Sequence, residues 1–446
     1  MQKKISLRQR PTEKGQTILL VAISLVSLLA MAALAIDVVT LYVARSEIQR
    51  AADAAALAGA KAIADSGITT LLLTDSNFAT VQAWAPTVAT ARVNAVLQNN
   101  LVAGTVPTLG SATVDWGRQG DPHITVVLNR PGLPTFFSKI WGASAPSVTA
   151  TATAEAYNPA NLQTITPIAP ASVKPWLVAN ADPNNGGAPF VNTATPDWVV
   201  DSAAIGESFD LVSDCQGNTT PCNLKQNPPK FPGRGTGQVD YVPALVTPNS
   251  ANVCPISVGS CNSSCLGASS YELSVECADV NAYSSLNCGT GSTTVTWDSD
   301  VNPGGVDGPT AIGAECLIHA TGPGAGTQQD TLNPLLWPNA PMQITGGTCS
   351  ASPAQLVANS SSVATIPIID TAQPLRSSGQ PLTIVGFLQA FINQVDPGGD
   401  RGAPPAGSVN ITVLNIAGCS STNNNANPVV GGSGTSPVPV RLITPP

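Results

Sequence analysis

The sequence predicts an α+β protein in which an N-terminal transmembrane helix continues into a small helix-plus-sheet exported unit, followed by a mostly β, disulfide-rich domain. Three observations predict this class. No charged residue interrupts the apolar stretch over residues 15–36. Helical and strand-like hydrophobic patterns share residues 37–157. All ten cysteines lie at or after position 215, among short strand-like runs separated by Gly- and Pro-rich turns.

The composition excludes two classes of protein. Of the 446 residues, 43% are hydrophobic and 10% are charged, which is too apolar for a disordered chain. No Lys or Arg occurs between Gly235 and Leu375, where ten Asp and Glu are found. Because binding to phosphates needs Lys and Arg, we expect no nucleic acid among the partners.

The first 36 residues have the charge pattern of a membrane anchor. Five Lys and Arg occur in residues 1–14, against the single acidic residue Glu13. As a helix, residues 17–36 would span about 30 Å, the thickness of the hydrocarbon core of a bilayer. Because basic flanks stay on the cytoplasmic side, we expect a basic cytoplasmic segment over residues 1–14 and a transmembrane helix over residues 15–36. The protein would then be a single-pass protein of the bacterial inner membrane, with the bulk of the chain exported.

A cleaved signal peptide is the alternative to an anchor. Ala33-Leu34-Ala35 resembles a small-x-small cleavage site. However, the apolar stretch is longer than the usual core of a signal peptide, and an Ala-rich helical pattern continues to about Ala64. These observations favour one uncut helix that ends near Ser66-Gly67, where Gly can adopt a left-handed backbone.

The exported half of this helix has a predicted buried face. Its members recur every three to four residues and are Val38, Leu41, Tyr42, Arg45, Ile48, Ala52, Ala55 and Ala56. The small side chains of Ala52, Ala55 and Ala56 let another element approach closely, and two interpretations are equally favoured. A helix of a neighbouring protein could pack there in lateral assembly, or the chain's own sheet could.

Residues 37–157 are predicted to form one α+β unit. A second helix is expected over residues 77–101, interrupted at Pro86. Strands are expected over residues 113–116, 124–128 and 147–156, the last from its alternation of Ala with Thr. Two helices packed on this sheet would bury one core. The buried positions expected on the second helix are Val88, Ala91, Val93, Val96 and Leu97.

The rest of the chain divides into a linker, a large domain and a tail. Residues 158–171 are rich in Pro, Ala and Asn and predict a linker, and residues 420–446 predict a loose tail. Between them, residues 172–419 predict a Cys-rich, mostly β exported domain. Its clearest expected strands cover residues 363–369, 382–387 and 409–414, and a helix is expected over residues 387–395.

The cysteines predict disulfide bonds. Their even number, confined to the part of the chain beyond the apolar segment, is typical of an oxidising compartment. Structural zinc is disfavoured because no C-x-x-C pair occurs, and we expect no cofactor. The candidates are Cys215, Cys222, Cys254, Cys261, Cys265, Cys277, Cys288, Cys316, Cys349 and Cys419.

Candidate chemistry is sparse. The two histidines, His123 and His319, have no G-x-S-x-G motif to serve, and no P-loop occurs, so we expect no enzyme. His123 is expected at a surface or edge position. Weak metal candidates, spaced like the start of a calcium loop, are Asp298, Asp300 and Asn302. Acidic turns, in which Asp and Asn bind their own backbone, are the simpler interpretation of these residues and of the similar Asp182-x-Asn184-x-Gly186.

The N-terminal segment resembles a known family. The motifs are Glu13-x-Gly15-Gln16, Ala35-Ile36-Asp37 and the run "QRAADAAALAGA" from Gln49 to Ala60. On these motifs the segment resembles TadG-like proteins of the Flp (Tad-type) pilus assembly system. The resemblance implies a non-catalytic structural component that assembles or anchors a pilus or surface apparatus. Its partners would be membrane lipid and other pilus-assembly proteins. The alternative is a periplasmic or surface binding protein that uses the segment only as an anchor.

The resemblance also bears on processing. Pilins and the related TadE-type subunits carry Glu five residues after a cleavage Gly, whereas counting five from Gly15 gives Leu20. The segment from Thr17 to Ile36 contains no acid at all. Similarity to TadG rather than to a pilin therefore implies a helix that stays uncut and membrane-bound.

Overall fold

Two units of structure meet at the end of one long N-terminal helix. They are seen in a computed structural model, which describes residues 14–117, 120–134, 145–158, 168–170, 173–194, 198–213, 237–246, 261, 265, 269–277, 294–298, 301–324, 326–357, 359–371, 381–398, 404–419, 430–431 and 438–443. The cysteines Cys215, Cys222, Cys254 and Cys288 and the metal candidate Asp300 lie outside these residues.

The helices in chain order are α1 (Lys14–Asp65), α2 (Phe78–Leu97), α3 (Ser270–Glu276) and α4 (Pro309–Leu317). The strands are β1 (Thr108–Asp115), β2 (His123–Arg130), β3 (Val148–Ala156), β4 (Ile168–Ala169), β5 (Trp176–Ala179), β6 (Val191–Asn192), β7 (Val199–Val200), β8 (Ser208–Ser213), β9 (Gln238–Pro243), β10 (Thr294–Thr296), β11 (Thr331–Asn333), β12 (Gln343–Thr345), β13 (Leu356–Val357), β14 (Val363–Ile369), β15 (Pro381–Val395), β16 (Val409–Gly418), β17 (Val430–Gly431) and β18 (Val440–Ile443). The class is α+β, as predicted.

Helix α1 is a single element of 52 residues, about 78 Å long. It lacks Pro and is dominated by Ala, Leu and other residues that lose little side-chain freedom in a helix. It ends where Gly67 takes a left-handed backbone with a φ of 80°. The prediction that one helix runs through the expected membrane exit and stops near Ser66-Gly67 is confirmed.

Helix α2 differs from the prediction in one respect, because it continues through Pro86. Ala85 and Ala89, on either side of this proline, are buried against the core, and this packing offsets the hydrogen bond that the proline removes. The buried residues follow a four-residue spacing, as Val81, Ala85, Ala89, Val93 and Leu97. Of the predicted set, Val93 and Leu97 are therefore correct and Ala91 is wrong, since it lies on the exposed face.

The helix–sheet unit consists of the second half of α1, α2 and a four-stranded antiparallel sheet of order β1-β2-β3-β18. Three of its strands were predicted. β1 and β2 are longer than predicted, and β3 begins one residue later. The fourth, β18, comes from the segment expected to be a loose tail, and that expectation is wrong for residues 440–443. Val438 and Val440 explain the difference, because both pack into the core of this unit.

A close approach of helix to sheet shapes this core. The Ala side chains on one face of β3 and the branched side chains on one face of β2 are buried beneath α1. At Gly59 of α1, a Cβ atom would lie 2.6 Å from Cδ1 of Ile124 and 3.1 Å from Cγ2 of Val93. Gly59 therefore allows α1 to sit in contact with both β2 and α2.

The barrel unit is built around six strands in the order β5-β9-β8-β16-β15-β14. Since β14 also pairs with β5, the hydrogen-bonded order returns to its start and the barrel is closed. β10 extends the outer edge of β15, and β11, β12 and β13 form a small sheet beside the barrel. The barrel has its own apolar core, which includes Trp176, Phe209 and Phe387. A closed barrel leaves few unpaired strand edges.

Strand β15 corrects the helix expected over residues 387–395. The run from Phe387 to Ile392 is buried at every position, because one face lines the barrel and the other is covered by neighbouring elements. A strand that is buried on both faces reads as a continuous apolar run, which hydrophobic periodicity cannot distinguish from a buried helix. The expected strands at 363–369, 382–387 and 409–414 are confirmed within β14, β15 and β16.

Disulfide bonds hold the helices beside the barrel. Cys265 pairs with Cys316 at the end of α4, and Cys261 pairs with Cys349. All six cysteines among the described residues are in disulfides. This agrees with the predicted disulfide-rich domain.

We expect loss of the Cys265–Cys316 bond to destabilise the barrel unit. The bond closes a loop of 51 residues, and removing a native disulfide from an exported domain typically costs about 2–5 kcal/mol. In the full chain in detergent, the double variant Cys265→Ser/Cys316→Ser should unfold at lower denaturant than the oxidised wild type. In reductant, the unfolding midpoints of the wild type and the variant should lie closer together. An unchanged midpoint in the oxidised variant would contradict the structural role of this bond.

Candidate functional site

The first half of α1 presents a continuous apolar surface. Every large apolar side chain that the structure describes from Ile18 to Ile36 is more than half exposed, for example Met31 at 71%. The protein itself buries 6% of an 18-residue apolar window in this helix. Burial of such side chains is worth about 1.5–3 kcal/mol each, so this surface is stable only in an apolar environment such as lipid. It forms a single-pass membrane anchor.

The exposed apolar surface extends past the predicted boundary at residue 36. Val38, Val39, Tyr42 and Val43 are also at least half exposed. Residues 18–43 span about 39 Å, against about 30 Å for the hydrocarbon core. With residues 18–37 in the hydrocarbon core, Tyr42, which is 79% exposed, would lie at the depth where aromatic side chains meet the headgroups of a membrane.

Polar groups in the anchor are satisfied within the helix. The hydroxyl groups of Ser24 and Ser27 donate to the carbonyl oxygens of Val21 and Ile23, each at 2.9 Å. A hydroxyl paired in this way needs no water, and this suits a segment that lies in lipid.

The second half of α1 is buried in its own unit. Ala52, Ala55 and Ala56 are each 0% exposed and belong to the core that α1 forms with α2 and β3. Of the two interpretations left open by the sequence, the structure shows the intramolecular one. The predicted stripe is displaced, because Val38, Tyr42 and Arg45 are exposed. The observed buried stripe is Ala44, Ile48, Ala51, Ala52, Ala55, Ala56, Ala60 and Ile63.

This buried stripe reaches down to the membrane. Asp37 is 3% exposed and Ala33, one turn earlier, is 4% exposed. The carboxylate closest to the predicted membrane exit is thus enclosed by protein rather than placed in lipid, where a charge is costly. Burial of α1 by the rest of the chain therefore begins within the apolar stretch, at Ala33.

The far end of α1 is joined to the barrel by buried hydrogen bonds. The Asn415 amide of β16 donates to the carbonyl oxygen of Ala64 at 3.0 Å and to Gln389 at 2.7 Å. The Thr70 hydroxyl donates to the carbonyl oxygen of Ile416 at 3.2 Å. These residues are buried, so each broken bond would leave an unsatisfied polar group. Sequence analysis missed this junction, since isolated Asn and Thr residues carry no pattern.

Two tryptophans strengthen the same junction. The Trp337 ring nitrogen donates to the carbonyl oxygen of Ser66 at 3.1 Å, and that of Trp84 donates to the carbonyl oxygen of Pro338 at 2.8 Å. Each bond links the helix–sheet unit to the barrel unit. The anchor and the barrel are therefore connected by packing and hydrogen bonds as well as by the chain.

The structure describes one of the two candidate calcium loops in full and the other only in part. Asp298 is half-buried after β10 and Asn302 is exposed. Asp300, between them, lies outside the described residues. In the second loop, Asp182 Oδ1 accepts from the backbone N–H groups of Asn184 and Asn185 at 2.9 and 3.3 Å. This is the acidic turn that the simpler interpretation predicted. Burial raises the pKa of Asp182 above its usual range, with nearby Asp201 adding to the rise.

The two histidines occupy different environments. His319 is next to the barrel, where burial lowers its pKa and its Nε2 atom lies 3.4 Å from Ser361 Oγ. A Ser-His-Asp triad needs a carboxylate bonded to Nδ1, and Nδ1 of His319 has no hydrogen-bond partner among the described residues. His123 begins β2 and faces Glu155 of β3. His123 begins a strand, as its place after Pro122 indicated. The expected surface or edge position is wrong, because β2 pairs with a strand on each side and the His123 side chain is 15% exposed.

Comparison with protein families agrees with this anchor. Residues 15–62 match a family described as "Putative Flp pilus-assembly TadE/G-like". The matched segment covers both the apolar surface and the buried Ala-rich half of α1. The chain therefore carries a TadE/G-like segment, as the sequence motifs predicted. Neither a curated protein nor a solved structure was found to match the chain.

We expect the Ala-rich half of α1 to tolerate bulk poorly. Ala52→Leu keeps helix propensity but adds volume at a position that is 0% exposed, and overpacking of this kind costs about 1–3 kcal/mol. The full chain in detergent should therefore unfold at lower temperature. The matched control is Ala22→Leu on the exposed half, which should leave the midpoint unchanged. Equal midpoints for the two variants would contradict the intramolecular packing.

Proposed function

We propose that the protein is a non-catalytic, membrane-anchored structural component in the assembly or anchoring of a Flp/Tad-type pilus or surface apparatus. The observation that carries the proposal is the family match at residues 15–62, which coincides with the helix that is apolar at one end and buried at the other. A helix built in this way holds a folded domain at a fixed place on a membrane. Its partners would be membrane lipid and other pilus-assembly proteins.

The proposed orientation places the N-terminus in the cytoplasm and the barrel unit outside the inner membrane. The basic residues of the first 14 positions support it, because Lys and Arg favour the cytoplasmic side. The disulfides of the barrel unit support it independently, since such bonds persist in oxidising compartments.

The proposal of a non-catalytic role rests on the sequence, in which neither histidine accompanies a catalytic motif. The connections between the membrane helix and the barrel favour a mechanical role instead. A continuous helix, a buried polar junction and a disulfide-linked barrel would transmit position and force from the membrane to the exported surface.

A second candidate function rests on the limits of the match. The family covers residues 15–62 and leaves the barrel unit unmatched. The barrel could therefore belong to a periplasmic or surface binding protein, with the TadE/G-like segment serving only as an anchor.

Piliation should distinguish the two functions. In cells that build the pilus, deletion of the protein should abolish or sharply reduce surface pili, as counted by electron microscopy, and the wild-type chain should restore them. A chain in which an unrelated transmembrane helix replaces residues 17–36 is the informative variant, because it keeps the buried half of α1. This variant should restore pili if residues 17–36 serve only to hold the chain in the membrane. Normal pili in the deletion strain would contradict the proposal and favour the binding protein.

The mature protein should keep its whole anchor. Leu20 stands where pilin-like subunits carry Glu, so we expect neither peptidase processing nor signal cleavage. N-terminal sequencing or intact mass of protein from membranes should place the first residue before Gly15. A protein that begins at Gln16 would indicate pilin-like processing, and one that begins at Ile36 would indicate a cleaved signal peptide.

A further inference from the structure

Three metal-ligating side chains meet at one edge of the helix–sheet unit. Asp121 lies in the turn before β2, His123 begins β2, and Glu155 is the direct partner of His123 across the strand pair β2–β3. Asp121 and Glu155 are 6% and 5% exposed, and the side chain of His123 is 15% exposed. Strand register places Glu155 beside His123, which lies two residues after Asp121 in the sequence.

The donor atoms of this cluster converge on one point. His123 Nε2 lies 3.3 Å from Asp121 Oδ2 and 3.3 Å from Glu155 Oε2. One ligand atom from each of the three residues lies within 4.8 Å of the others. In spite of these distances, Nε2 of His123 forms no hydrogen bond within the described residues.

The two distances from His123 Nε2 match those between ligands of a tetrahedral metal ion. Zinc binds His nitrogen and carboxylate oxygen at about 2.0–2.2 Å, so two ligands of a tetrahedral site lie about 3.3–3.6 Å apart. We propose that Asp121, His123 and Glu155 bind a divalent transition-metal ion of the zinc class. One imidazole and two carboxylates suit this class, and three protein ligands leave a fourth position for water or a further group.

A second layer of contacts holds the ligands in place. The other oxygen of Glu155, Oε1, accepts a hydrogen bond from Nε of Arg441 on β18, and the Arg441 guanidinium lies 5.0 Å from the centre of the Tyr157 ring. Such outer contacts orient a ligating carboxylate. The positive charge of Arg441 also balances part of the negative charge that Glu155 brings to the buried site.

The backbone of the cluster is equally fixed. The N–H of Ala156 donates to the carbonyl oxygen of Pro122 at 3.1 Å, and the N–H of Asn158 donates to that of Gly120 at 2.9 Å. The turn that carries Asp121 is thereby fastened to the end of β3. A bound ion would join β2 to β3 through side chains and, through Arg441, hold β18 against β3. It would thus stabilise the part of the sheet formed by the end of the chain.

The test uses the full chain in detergent, purified without a polyhistidine tag and treated with a chelator. Titration with Zn²⁺ should give one bound ion per chain by calorimetry, and Zn²⁺ should raise the thermal midpoint. His123→Ala should abolish both effects, whereas the matched control His319→Ala should retain them. Arg441→Met keeps all three ligands and should weaken binding by about 10–100-fold.

A spectroscopic measurement keeps the proposal falsifiable if a variant folds poorly. Co²⁺ bound to the wild-type chain should show the visible absorption of a tetrahedral complex, and added Zn²⁺ should remove it. Circular dichroism would verify that His123→Ala retains its fold. Wild-type chain that binds no Zn²⁺, or a folded His123→Ala variant that binds as the wild type does, would overturn the site. In either case the cluster would be an ion pair of a protonated imidazole with two carboxylates.

Discussion

The structure depends on one helix that must be stable in two environments. An α-helix satisfies its backbone hydrogen bonds internally, so it can pass from lipid into a protein core without a break. Only its side chains need to change, and they do so along α1. Large Leu, Ile and Val side chains cover the lipid-facing half, whereas Ala and Gly59 dominate the half that contacts β2, β3 and α2. Small side chains bring the sheet close to the helix axis, and this close packing holds the folded unit directly at the membrane surface.

Buried polar contacts at the end of α1 fix the direction in which the barrel points. An apolar interface alone tolerates sliding, but Asn415, Thr70 and Trp337 each require a particular partner on the other unit. Since an unsatisfied buried polar group costs about 1–3 kcal/mol, only one relative placement satisfies all of them. The junction therefore converts the direction of the membrane helix into a fixed orientation of the barrel.

Local patterns in the sequence predicted the local elements well. The uninterrupted helix α1, its end at Gly67 and strands such as β3 and β14 follow from propensity and periodicity over short windows. Contacts between distant residues were not predictable in this way. The closure of the barrel, the pairing of β18 with β3 and the meeting of His123 with Glu155 all depend on strand register, which a single sequence does not encode locally. β15 was mistaken for a helix at residues 387–395 because burial on both faces removes the alternation that marks a strand.

The order of the chain connects the two units twice. β18 closes the sheet that α1 covers, yet it follows the whole barrel unit in sequence. The barrel is thus an insertion between β3 and β18. The chain leaves the four-stranded sheet after β3 and returns to the same sheet at β18. Two covalent connections restrain rotation far more than one, and the junction at Asn415 adds a third constraint on a different strand. A force applied to the barrel is therefore carried back to the sheet through β3, β18 and β16, and then to α1 and the membrane. The Glu155–Arg441 pair bridges β3 and β18 where both connections begin, which places the proposed metal site at the base of the insertion.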